Sequence, residues 1–150
     1  MTWFVVGKFE DEVRKFERKT DKKMEVVVRT IILRIFRKIV FKTPVDKGSL
    51  RANWQLAIGN VPNGTLELND KTGTATVSKA AATLLGYDLG DTIYLANNLP
   101  YVRTVEEGGY KDGPKTVGGF SLQAPAGMVG LTLQEFQGIV KRAGIELSFT

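Results

Sequence analysis

The chain contains no histidine and no cysteine, so carboxylates are left to carry any acid–base chemistry. Glu106 and Glu107 are an adjacent pair, but neighbours on a helix point about 100° apart and do not converge on one substrate atom. Asp88 and Asp91 stand either side of Gly90, where a calcium loop would need more oxygen ligands at regular spacing. The stretch "KTGTAT" (residues 71–76) has a glycine among threonines but lacks the spacing of a phosphate-binding loop. No dinucleotide fingerprint and no nucleophilic serine elbow occurs. The expectation is a protein without catalytic residues, metal ligands or cofactor, and not an enzyme.

The elements that surround these residues read as one domain over residues 1–150. Hydrophobic residues make up 43% and charged residues 25%, ordinary values for a globular chain able to bury a core. Without cysteine there is neither a disulfide framework nor a thiolate metal site. The opening "MTWFVVGKFEDE" has too short an apolar run for a signal peptide, and no stretch is long enough to span a membrane. Synthesis and use or assembly in a cytoplasm is expected.

Charge is unevenly distributed. The net charge is +5, yet residues 8–42 alone hold twelve Lys/Arg against six Asp/Glu, and the rest of the chain nine against ten. Clustered cations can supply sequence-independent affinity for nucleic acid. The interspersed Glu10, Asp11, Glu12, Glu17, Asp21 and Glu25 also fit a solvated helix laced with ion pairs.

Phe9, Val13 and Phe16, then Met24, Val27, Val28, Ile31, Ile35 and Ile39, recur at helical spacing, and no Gly or Pro interrupts the run before Pro44. A long helix over 8–43 follows. "NWQLAIG", "TLELND", "KTGTATVS" and "DTIYLANN" read as strands, and "SKAAATLLG" as a short helix with Ser78 as N-cap. "PYVRTVEEG" reads as a second short helix ending at Gly108. Residues 108–119 hold five glycines and a proline and read as a mobile loop. Val129, Leu133, Phe136 and Val140 mark a C-terminal helix over 127–143, with "IELSFT" as a strand or frayed tail. The fold class is α+β: a long N-terminal helix packed on a mainly antiparallel sheet (sheet and short helices over 53–107), with a C-terminal helix.

The second half of the long helix carries a second apolar set, Val26, Leu33 and Val40, nearly opposite the first, with Arg29 and Arg37 beside it. A helix apolar on two faces buries both. Two solutions stay open: the helix is sandwiched within its own domain, or the second face is a subunit interface.

The motif "TPVDKGSLRANW" (residues 43–54) resembles the "TPVDTG.LR.SW" signature of tailed-bacteriophage neck and tail-completion proteins. "IYLANNLPYVRTVEEG" and "QAPAGMVGLTLQEFQ" resemble that family's strand–Asn–Pro–Tyr–helix segment and its closing Pro-x-Gly-Met-Val helix. The order and spacing also match, over residues 43 to about 140. Lys47 departs from the family's Thr, and residues 105–107 lack the aromatic that often precedes the glycine. In physical terms the motif is a structural corner. Pro44 ends the helix, Asp46 accepts turn N–H groups, and Gly48 takes the positive φ of a reversal. Arg51 reaches helix-end carbonyls, and Trp54 anchors the first strand in the core.

The resemblance implies a structural subunit of the virion tail or neck. Copies would form a ring, commonly hexameric, against neighbouring neck, connector, tail-terminator or tail-tube proteins, with DNA passing through the lumen without sequence-specific binding. Assembly contacts are expected at Val26, Arg29, Leu33, Arg37 and Val40 and at the loop glycines Gly108, Gly109 and Gly119. The alternative is a basic-helix module that grips nucleic acid through residues 8–42.

Overall fold

The computed structural model describes the backbone of residues 2–5 and 21–148 and the side chains of 24–143. The expected helical residues 8–20 lie outside the described part. Within it the long helix is α1, Asp21–Lys42, about 33 Å at ~1.5 Å per residue. Val27, Val28, Ile31, Ile32, Ile35, Phe36 and Ile39 are all buried along it. Pro44 follows at once and denies the helix another turn.

The main sheet is small and antiparallel. Strand β3 (Ile93–Asn97) lies in the centre, with β1 (Thr2–Val5) on one side and β2 (Gln55–Ile58) on the other. Thr2 pairs with Asn97, and Gln55 with Ala96. Helix α2 (Ser49–Ala52) is a single turn between the corner and β2. Helix α3 (Thr74–Leu84) packs against both α1 and β2. Helix α4 (Val102–Glu107) follows β3, and two C-terminal helices, α5 (Val129–Gln134) and α6 (Phe136–Ser148), cover another side of α1. The chain is therefore α+β, with the long helix held between α3 and the C-terminal pair.

Several sequence expectations are corrected. "TLELND" has no regular secondary structure and joins no sheet; the Asn53 side-chain amide holds it, accepting the Leu66 N–H at 2.7 Å and donating to the Leu66 carbonyl at 3.0 Å. "KTGTATVS" is not a strand, because Asp70 nucleates a helix there. Its carboxylate accepts the backbone N–H groups of Gly73 (3.0 Å) and Thr76 (2.8 Å) and the Thr76 hydroxyl (2.7 Å). These acceptors satisfy donors that a helix start leaves open and hold the Asp70 carboxyl below its ordinary range, against the opposing effect of burial. Ser78 is accordingly mid-helix and caps nothing.

Residues 108–119 are more than a loop. They lead into a two-stranded hairpin, β4 (Thr116–Val117) with β5 (Phe120–Ser121). The expected helix over 127–143 is broken at Glu135, and "IELSFT" continues α6 as far as Ser148. β1 was not anticipated at all.

Candidate functional site

The corner is built from the helix end outward. The last carbonyls of α1 have no intrahelical donors, and one side chain from α2 supplies them. Arg51 donates to the carbonyls of Thr43 (Nε, 3.0 Å), Phe41 (Nη2, 3.1 Å) and, across the turn, Lys71 (Nη1, 2.7 Å). Trp54, 2% exposed, donates its indole N–H to the buried Thr43 hydroxyl at 2.8 Å, and that hydroxyl donates to the Ile39 carbonyl at 2.7 Å. Gly48 has φ +94°, and a Cβ there would stand 2.7 Å from the backbone of Asp70 and Lys71. No larger residue fits without moving that loop.

Asp46 is exposed and takes no hydrogen bond from the described residues; the carboxylate at this corner that accepts turn donors is Asp70. Val45 is held by Gln123, whose amide oxygen accepts the Val45 N–H at 2.8 Å and whose NH2 donates to the Val45 carbonyl at 2.9 Å. Asn97, buried, donates to the Leu50 carbonyl at 2.9 Å and ties β3 to the same corner.

A second corner joins α4 to α5. Glu106 accepts the backbone N–H groups of Met128 (2.8 Å), Val129 (2.9 Å) and Gly130 (2.8 Å), so one carboxylate from a neighbouring helix caps the start of α5. Gly127 turns at φ +82°, and a Cβ there would lie 2.6 Å from the Glu106 carbonyl. Glu107 diverges, as expected for its neighbour, and meets only exposed Arg103 at 3.6 Å. Glu106→Ala is expected to destabilise the protein by about 2–3 kcal/mol, since three helix-start donors lose a charged acceptor. Glu106→Gln, with a single amide oxygen, should lose about half as much; urea unfolding of both variants measures it.

Glu135, at the break between α5 and α6, takes both Lys38 and Lys42 of α1; the Lys42 ammonium lies 2.7 Å away and also donates to Thr132 at 3.0 Å. Hydrogen bonds from Lys38 and then Lys42 hold the Glu135 carboxyl down at about 2, against an ordinary 4.5. A depressed carboxylate stabilises the fold fully above its unfolded value and loses that contribution as pH falls through the folded value. The wild type should therefore lose more stability than Glu135→Gln between about pH 5 and pH 2. The carboxylate is 39% exposed, so the difference is about 1 kcal/mol, read from urea unfolding at each pH.

The assembly residues expected from sequence are not all on one face. Val40 is fully buried, against the turn at Gly73, and Leu33 is half-buried on the core. Arg29 donates to the Tyr87 carbonyl at 2.7 Å. The exposed side chains among the described residues of α1 are instead Val26 (43% exposed), Arg37 and Phe41 (42% exposed), with half-buried Thr30 and Leu33 between them and the Arg37 guanidinium 5.2 Å from the centre of the Phe41 ring. Two seven-residue steps carry Val40 only about 40° around the helix from Val26; what buries it is the turn at Gly73, which packs on its side chain.

Gly108, Gly109 and Gly119 meet one another. A Cβ on Gly119 would stand 3.0 Å from the Gly109 nitrogen, and one on Gly108 would stand 3.1 Å from the Phe120 ring. They serve a close approach inside the chain. Between the hairpin and the first corner lies a pocket of about 570 Å³ whose lining includes Pro44, Leu50, Tyr101, Val105 and Leu122.

Among the described residues no three His, Cys, Asp or Glu side chains gather to hold a metal, and no helix is long and apolar enough to cross a membrane. The three well-built places are the two capped corners, made largely of contacts that satisfy backbone groups, and the Glu135 cluster, made of side-chain ion pairs.

Residues 7–108 match a family model described as "Bacteriophage HK97-gp10, putative tail-component". The chain belongs to this HK97-gp10-like family of phage tail components. Comparison with curated proteins and with solved structures gave no match.

Proposed function

We propose that the chain is a tail-completion or neck subunit, which closes a ring with copies of itself at the head–tail junction and lets DNA pass through the lumen. Membership of a tail-component family supports the virion setting. The observation that carries the ring is the stripe on α1: two large apolar side chains more than 40% exposed, with Leu33 and Arg37 between them, where a single copy leaves apolar area in water. Neighbouring neck, connector, tail-terminator or tail-tube proteins meet the ring's two ends, and the subunit acts without catalysis or cofactor.

The nucleic-acid reading finds less support in the described part of the basic segment. Arg29, Lys38 and Lys42 are each committed to partners within the chain, and Arg37 lies over Phe41. Steep salt dependence of duplex binding by the purified protein would favour that reading instead.

Electron microscopy of particles from an infection with the gene disabled tests the proposal. DNA-filled heads beside full-length unattached tails are expected. Normal infectious particles would overturn it.

A further inference from the structure

The pocket beside the corner and the turn that ends α3 lie at two separate levels of α1, one at its C-terminal end and the other near its middle. Helices α1 and α3 run antiparallel: Gly73, at the start of α3, sits against Val40 and Phe41, while Tyr87, just past its end, accepts from Arg29. Between Arg29 and Lys42 the helix spans about 20 Å at ~1.5 Å per residue.

The turn past α3 carries a projection. Leu85 is 76% exposed, more than any other large apolar residue among those described. Asp88 and Asp91 follow it within one tight turn, and no Lys or Arg occurs between Lys79 and Arg103. The corner end carries a recess. Its floor is apolar, and two ammonium groups, Lys47 and Lys115, stand in its lining against one carboxylate, Asp46.

We infer that the turn from Leu85 to Asp91 of one copy seats in the pocket of the next, with Leu85 entering the recess and Asp88 and Asp91 facing Lys47 and Lys115. The inference rests on the ring reading above and names a contact within it. A projection and a recess at two separate places on one copy make a heterologous contact, which repeats from copy to copy and closes when the rotation allows. Its charges are complementary: the projection is acidic and the lining carries a net cation, which orients the encounter. About 570 Å³ is ample for the Leu85 side chain and the backbone beside it, while Tyr87 stays in its own core.

The chain has no cysteine, so introduced thiols report without background. Particles assembled with Leu85→Cys, Lys115→Cys protein are oxidised mildly and run on a non-reducing gel. A ladder of multimers that collapses on reduction is expected, with no ladder from either single variant. Monomer alone, from particles whose heads and tails are joined, overturns this contact and leaves the ring reading standing. Unjoined particles are resolved by charge reversal. Lys47→Glu with Lys115→Glu should lower infectious titre about tenfold or more, and Asp88→Lys should restore it. An unchanged titre, or no restoration, overturns the contact.

Discussion

Trp54→Ala is expected to lower stability by about 4 kcal/mol, the largest loss from any single side chain of the corner. The indole is 2% exposed, and its N–H is the partner of a buried hydroxyl. Truncation therefore opens a cavity the size of the ring and leaves Thr43 without its donor. In a chain of this length each kcal/mol moves Tm by about 2–4 °C, so a drop on the order of 10 °C follows. Trp54→Phe separates the two contributions: it refills most of the volume, and its remaining loss of about 1–2 kcal/mol is the unsatisfied Thr43 oxygen. Urea unfolding gives both numbers. A Trp54→Ala protein within about 1 kcal/mol of wild type would mean that the site collapses around the gap and that the corner does not depend on the ring.

Val26→Glu combined with Phe41→Glu is expected to leave the monomer within about 1 kcal/mol of wild type and to abolish joining of heads to tails. Both side chains are more than 40% exposed, so charge there displaces little packing in a single copy; the main internal loss is the Arg37–Phe41 contact, about 0.5–1 kcal/mol. Across an interface the same charges would be desolvated without partners, at a cost of several kcal/mol in every contact of the ring. Circular dichroism of the purified variant and the titre of complemented particles read the two effects separately. A normal titre would remove the stripe as an interface. A variant that fails to fold would show that the stripe is covered within the monomer.

The parts of this fold legible in the sequence are those where one residue type meets one demand. The buried face of α1 repeats at 3.6, Pro44 stops it, and Trp54 and Arg51 are found anchoring and capping the corner as their chemistry suggests. The short helix read over "SKAAATLLG" is present, but its first turn, "TATV", was hidden by Thr and Val, which favour strands; Thr76, Ala80 and Leu84, buried at four-residue steps, were the readable signal, together with Asp70 placed to cap. β1 is four residues long, too short for a periodic pattern to register. The role of Glu106 was beyond local reading, since its partners are more than twenty positions away and depend on how two short helices dock. The same holds for Glu135, whose lysines sit over ninety residues earlier. The expected interface set mixed exposed Val26 with buried Val40, because which flank of α1 the turn at Gly73 covers is set by tertiary packing and not by helical spacing.

The central position of β3 has a consequence during synthesis. Its partner β1 is made first, and nothing in the sheet can pair with residues 2–5 until residue 97 has left the ribosome. The apolar side of α1 facing α6 waits longer still, for the last helix of the chain. At about 5–20 residues per second the nascent chain carries an uncovered amphipathic helix for several seconds, and long-range pairing of this kind is slow to form. A helix that waits so long for its cover is a natural client for a holding chaperone. Yield in the host should therefore rise when translation of codons 100–148 is fast and chaperone supply is ample.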